Sequence, residues 1–139
     1  IKEVVAPYFK EINGKDAVRE DKPTMERDAV FGIVKHWKED KYFCLNWERF
    51  GWKTFIIGGV ENDEKPEEAI RREVIEETGY RDIKSVKEVG VEIHSEFFAR
   101  HKDVNRYGRF RTFLVELKSD NYEKPKKEHT QNHSIASYN

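Results

Sequence analysis

The stretch GGVENDEKPEEAIRREVIEETGY, residues 58–80, constrains this chain more than any other part of it. Two adjacent glycines leave the backbone open to close approach, so that a carbonyl there could supply a ligand oxygen. A helix then follows. Asp63 or Glu64 suits its N-cap, Pro66 its first turn, Glu67 and Glu68 the positive end of its dipole, and Gly79 its stop. Each helical residue advances by about 100°, so with Glu73 at zero, Glu77 lies near ~40° and Glu76 near ~−60°. Three carboxylates share one arc, and Ile70 and Val74 lie directly beside it. A solubilising acidic face lies opposite the apolar stripe, whereas here Glu77 borders it. Like charges one turn apart repel unless a cation sits between them, and Arg72 can offset part of this by reaching Glu76. Two readings compete: a solvated acidic face, or a cage for hard divalent ions. Mg²⁺ prefers oxygen ligands and bridges carboxylates to substrate phosphates. Metal-assisted attack of water on a phosphoanhydride is the chemistry such a site supports. An EF-hand calcium loop does not fit, because ENDEKPEEAIRR lacks the turn glycine and the alternating ligands.

The 139 residues suit one domain, and nine Phe, six Tyr and three Trp can furnish its core. A net charge of −1 provides no bulk electrostatic case for nucleic acid or an anionic membrane as partner. Cys44 is the single cysteine, which excludes an internal disulfide and fits a reducing, cytoplasmic location. It lies in the strand-like run KYFCLNW, where a buried thiol is favoured over a nucleophile. No apolar run approaches membrane-spanning length, and no signal peptide opens the chain.

Residues 1–27 read as a lead-in with one short strand, and residues 28–139 as the domain. Arg27–Trp37 and Lys41–Phe50 suit an antiparallel hairpin around the polar turn KED, with GWKTFIIGG as a third strand. Beyond the helix, IKSVKEVGVEIH and RFRTFLVELK alternate as strands do, and SEFFARHKDVNRYG between them reads as a long loop. From Ser119 onward the chain is polar, with no terminal amphipathic helix. The class is α/β.

Gly58, five residues, Glu64, seven residues and then REVIEETGY reproduce the pattern G-x5-E-x7-R-E-U-x-E-E-x-G-U, with Val74 as the aliphatic residue and Tyr80 at the last position. A chance match is on the order of 10⁻⁶ or less. The segment resembles the Nudix box, and the resemblance extends over about Asp28 to Leu117. It implies the Nudix fold: an α/β/α sandwich with a mixed sheet, the box forming loop–helix–loop. The implied reaction is Mg²⁺-dependent cleavage, with Mn²⁺ as a substitute, of a nucleoside diphosphate linked to another moiety. By the same resemblance Glu76 and Glu77 are the principal metal ligands and Glu73 a third ligand or the general base. The Gly58 carbonyl is a backbone ligand, Arg72 orients the carboxylates, and Glu64 is a structural partner or outer ligand. Glu128, in KKEHTQNH, ranks second to Glu73 as the base. Ile57 stands where many members have proline. A homodimer is a common state in the family.

Outside the box, Arg106, Arg109 and Arg111 have two readings, substrate phosphate contact or ordinary exposure. Tyr107 and Phe98 either stack on a base or belong to the core, and Trp37, Trp47 and Trp52 read as core. His94 and His101 have no metal-pair spacing. The chain opens at Ile1 rather than methionine and stops at HSIASYN before the strand and helix with which the family usually closes. The expectation is therefore a piece of a longer chain. AVREDKPTMERDAV, followed by IVKHW, resembles the start of Nudix modules inserted in bacterial leucyl-tRNA synthetases. That second resemblance implies an accessory module with an interaction or editing-related role, whose partners are tRNA or the rest of a synthetase and whose own catalysis is open.

Overall fold

The computed structural model describes residues 6–47, 51–125 and 134–138. Its frame is a mixed eight-stranded sheet carrying one helix. In chain order the strands are β1 (Tyr8–Lys10), β2 (Thr24–Lys35), β3 (Tyr42–Trp47), β4 (Trp52–Thr54), β5 (Ile56–Gly59), β6 (Ile83–Ala99), β7 (Val104–Leu117) and β8 (Ser134–Tyr138). The helix α1 (Pro66–Thr78) lies between β5 and β6. The sheet runs β1-β6-β7-β2-β3-β4, with β5 pairing with β2 and β8 with β3. β2 is parallel to β7 and β1 to β6, whereas the remaining pairings are antiparallel. The mixed sheet was expected. Among the described residues a single helix covers it, so the second helical layer of the sandwich does not occur there.

The apolar stripe of α1 dictates how it docks. Ala69, Ile70 and Val74 are fully buried against Val30 and Val34 of β2, Ile56 of β5, and Phe113, Val115 and Leu117 of β7. Fully burying each branched aliphatic side chain contributes about 1.5–3 kcal/mol, so this stripe fixes the rotation of the helix. Trp37 and Trp47 pack against the same cluster, as read. No helix among the described residues is long and apolar enough to cross a membrane.

The β2–β3 hairpin forms as expected, its turn braced by His36, whose Nδ1 accepts from the Lys38 and Glu39 backbone N–H groups at 3.0 and 3.0 Å. The third strand divides in two at Phe55, because β4 pairs with β3 while β5 pairs with β2. Three other expectations are corrected. The helix N-cap is Lys65, whose N–H donates to Glu68 Oε1 at 3.1 Å. Asp63 adopts φ 64° in the preceding turn, and Glu64 is turned toward Arg72. Second, the supposed loop Ser95–Gly108 is the tip of a hairpin: β6 continues to Ala99 and β7 begins at Val104. Both arms are held in one antiparallel ladder, from Ser95–Gly108 to Ala99–Val104, and the turn needs only Arg100–Asp103, with Asp103 at φ 54°. Third, the polar C-terminal stretch contains β8, antiparallel to β3.

The lead-in is fastened to the domain. Asn105, 2 % exposed, donates from Nδ2 to the Arg19 and Lys22 carbonyls at 2.6 and 3.1 Å and accepts from Arg19 N–H at 2.9 Å. The boundary read between residues 27 and 28 falls inside β2.

Candidate active site

β5 ends in the double glycine, and its two faces differ. A Cβ added to Gly58 would collide with the Glu73 carboxyl of α1, and one added to Gly59 would collide with the Arg27 guanidinium of β2. Successive strand residues face opposite sides of a sheet, so the anion lies on the helix side and the cation on the other. Glycine is needed at Gly58 because a helix carboxylate rests directly on the strand backbone there.

On the helix side, Glu73 and Glu77 are each 8 % exposed, an unusual depth for carboxylates at i and i+4. Arg72 organises the group. Its Nε and Nη2 donate to both Glu64 carboxylate oxygens at 2.8 and 3.0 Å, and Nη2 also donates to the Gly59 carbonyl at 2.9 Å. Nη1 reaches Glu73 Oε1 at 2.8 Å and Glu76 Oε2 at 3.1 Å, with Glu61 at 3.7 Å. The Arg72–Glu76 contact foreseen from helical spacing is present.

One guanidinium thus faces Glu61, Glu64, Glu73 and Glu76 together. The hydrogen bonds from Arg72 hold the Glu64 carboxyl below the usual range, and those from Glu64 raise Arg72 above its own. Burial pushes the Glu73 carboxyl up, against the opposing pull of Arg72. The carboxylates close on Arg72 rather than on one another, and among the described residues no three His, Cys, Asp or Glu side chains are grouped to hold a metal ion. The donor chemistry nonetheless fits a hard divalent cation. The set is all oxygen, and the buried Glu73 would be favoured in its ionised form by one more positive charge.

The predicted residues do not all converge. Glu64, Arg72, Glu73, Glu76, Glu77 and Gly58 are brought together. Arg109 borders an acidic cleft beside the box loop, shared with Glu61, Asp63 and Glu64, and is itself bound to Asp28 at 2.9 Å and Glu26 at 3.2 Å. Arg111 forms a two-pronged pair with Glu88 at 2.6 and 2.8 Å, and Tyr107 bonds its hydroxyl to His94 Nδ1 at 2.8 Å. Phe98 is core, 3 % exposed, with Arg19 stacked on its ring at 3.8 Å. Glu128 lies outside the described residues.

Sequence reading missed the opposite face of β5. There a cavity of about 260 Å³ is lined by Arg27, Arg106, Phe97, Phe110, Ile57 and the two box glycines, among others. Arg106 was read as one of three equivalent arginines, but it alone of the three lines this cavity. Arg27 and Ala29 share a strand face at period two, a signal that could have paired Arg27 with the glycines had the β2–β5 register been known.

Residues 25–138 match the model of the family described as the NUDIX domain. Among solved structures, a chain from a study of MutT from the psychrophilic fish pathogen Aliivibrio salmonicida and the mesophile Vibrio cholerae aligns at TM-score 0.55 and 18 % identity, covering 82 % of this chain and 80 % of that one. The E. coli dihydroneopterin triphosphate pyrophosphohydrolase aligns at TM-score 0.55 and 16 % identity, over 80 % and 77 %. A NUDIX-family hydrolase from Clostridium perfringens aligns at TM-score 0.54 and 16 % identity, over 80 % and 81 %. No match was found among curated proteins.

Proposed function

The chain belongs to the NUDIX family of pyrophosphohydrolases, and from that premise we propose that it cleaves a phosphoanhydride bond in a nucleoside diphosphate linked to another moiety, using Mg²⁺ or Mn²⁺. The observation that carries this reading is the burial of Glu73 and Glu77, one turn apart on α1, beside a single arginine shared by four carboxylates. Isolated like charges are not retained at such depth for solubility.

Glu76 and Glu77 would hold the metal, with Glu73 as a third ligand or the base and the Gly58 carbonyl and Glu64 at its margin. When bound, the ion supplies positive charge to the phosphates and lowers the pKa of a bound water. Glu73 is the first-ranked base: its carboxyl, pushed up by burial, accepts the proton of the attacking water at a carboxylate oxygen. Arg72 is a positioning residue, because it fixes one oxygen each of Glu73 and Glu76 and is itself anchored by Glu64 and the Gly59 carbonyl. The substrate's non-reacting part is expected on the sheet side of the box.

The test is release of nucleoside monophosphate or inorganic phosphate from a panel of nucleoside diphosphate derivatives with Mg²⁺, beside Glu77→Gln. Metal-dependent turnover that Glu77→Gln largely abolishes, with folding intact, is expected. Unchanged turnover in the variant removes Glu77 from the mechanism. No turnover of any compound by folded, metal-binding protein overturns the hydrolase reading in favour of an accessory module of a synthetase.

A further inference from the structure

The arginines divide sharply by partner. Among the described residues Arg71, Arg72, Arg81, Arg100, Arg109 and Arg111 are each paired with a carboxylate, and Arg19 lies on the Phe98 ring. Arg27 and Arg106 make no ion pair within 4 Å there, and both line the cavity on the far side of β5, Arg27 also bordering the cleft of Glu26, Asp28, Glu61, Asp63 and Glu64. Arg106 Nε is buried with no hydrogen-bond partner. A buried donor left in that state is costly, and natural structures satisfy nearly all of them. Two guanidiniums facing one cavity also repel, and burial together with Arg27 makes the Arg106 proton easier to lose. No acidic side chain lines this cavity. An acceptor supplied from outside would remove each of these penalties.

The cavity has two unlike ends. Along β7, Phe110 lies four positions beyond Arg106, about 13 Å at the usual strand rise. Phe110, Ala29 and Ile57 line an apolar end, Arg106 lies at the other, and Arg27, level with Gly108 between them, reaches its guanidinium over Gly59. Such a cavity suits a molecule with a flat apolar part and an anionic group at its far end. The Glu73 carboxyl lies against the other side of the same strand, so the scissile phosphates and this anion need not be the same groups.

We propose that the Arg27–Arg106 cavity selects substrates bearing an anionic group additional to the two phosphates of the scissile anhydride, and discriminates against those whose second moiety is neutral. Arginine suits this work because its planar fork donates two parallel hydrogen bonds to a phosphate or carboxylate. The inference rests on the phosphoanhydride reading of the box, and it narrows the substrate class within it.

The test is equilibrium binding to the full chain in EDTA, which removes divalent metal and with it turnover. Three pairs differ by one anionic group: ATP against ADP for a terminal phosphate, adenosine 3′-phosphate 5′-diphosphate against ADP for a phosphate ester, and UDP-glucuronate against UDP-glucose for a carboxylate. In at least one pair the more anionic member is expected to bind roughly 10- to 100-fold tighter. That preference is expected to vanish in Arg27→Gln and Arg106→Gln, weaken in Arg106→Lys, and persist in Arg100→Gln, which removes an equal charge elsewhere. No preference in any pair, or a preference that survives both glutamine variants, overturns the proposal. Should Arg106→Gln not fold by circular dichroism, Arg27→Gln, at the exposed mouth, decides alone. A preference retained by protein that hydrolyses nothing with Mg²⁺ would reject the hydrolase reading and leave the pocket standing.

Discussion

The two faces of Gly58–Gly59 carry opposite charge and opposite degrees of completion. On the helix face, Arg72 engages Glu64, Glu73 and Glu76 within a shell closed by α1. On the other face, Arg27 and Arg106 border an open cavity whose own lining holds no carboxylate, Arg27 also bordering the acidic cleft of the box loop. The finished face lies within one contiguous segment, whereas the unfinished one is assembled from β2, β5, β6 and β7. A reaction centre must hold its own charges in place before substrate arrives. A recognition pocket can leave charge to be satisfied by the ligand.

The largest effect that would test this division is on turnover. Glu73→Gln is expected to lower kcat by about 10²–10⁴-fold, the usual contribution of a general base, in a Mg²⁺-dependent assay. Glu128→Gln is the counterpart, and a comparable loss there with a small one at Glu73 would move the base to Glu128.

Arg72→Gln strikes the helix face without touching the other. It removes charge-assisted bonds to Glu64, Glu73 and Glu76, and should cost about 1–3 kcal/mol in urea unfolding while lowering kcat. Equal stability of wild type and variant would mean that the cluster does not depend on its arginine.

The glycines themselves divide the faces. Gly58→Ala forces a methyl against the Glu73 carboxyl carbon on a packed helix, and should cost about 1–3 kcal/mol. Gly59→Ala meets only the far end of the Arg27 side chain, which can swing away, and should stay within about 0.5 kcal/mol of wild type. Similar losses for both, measured by denaturation, would erase the asymmetry.

The smallest effect is set away from both faces. The two-pronged bond from Arg111 lowers the Glu88 carboxyl, so the pair adds stability above the ordinary glutamate pKa and loses it as pH falls through the depressed one. Both groups are substantially exposed, so Glu88→Gln should cost no more than about 0.5 kcal/mol at pH 7 and nothing once the wild-type glutamate is protonated. Stability curves of the two proteins should converge on acidification.

Much of the box was legible because its determinants are local. Helical period placed Glu73, Glu76 and Glu77 together and put Arg72 within reach of Glu76, and Gly79 indeed closes the helix at φ 82°. The N-cap was missed by one or two positions because Asp63 was drawn into a left-handed turn and Glu64 into the Arg72 fork, preferences that depend on neighbours. The hairpin tip at residues 95–108 was misread as a loop because its burial has no period of two, and only the β6–β7 ladder holds it extended. Asn105 shows the same limit: a polar residue in a supposed loop is buried because Arg19 and Lys22 present carbonyls to it from the lead-in.

By itself the sequence determined a carboxylate helix with its own arginine, a double glycine ahead of it, and membership of a family marked by that spacing. These depend on helical geometry and on contacts within some twenty residues, where period and steric rules act directly. Only the tertiary structure decided which of the described arginines make no ion pair with a carboxylate. Arg109 and Arg111 met Asp28 and Glu88 across strands, while Arg27 and Arg106 converged on one cavity. Strand pairing sets such meetings, and a shift of one residue in register would turn each side chain to the opposite face.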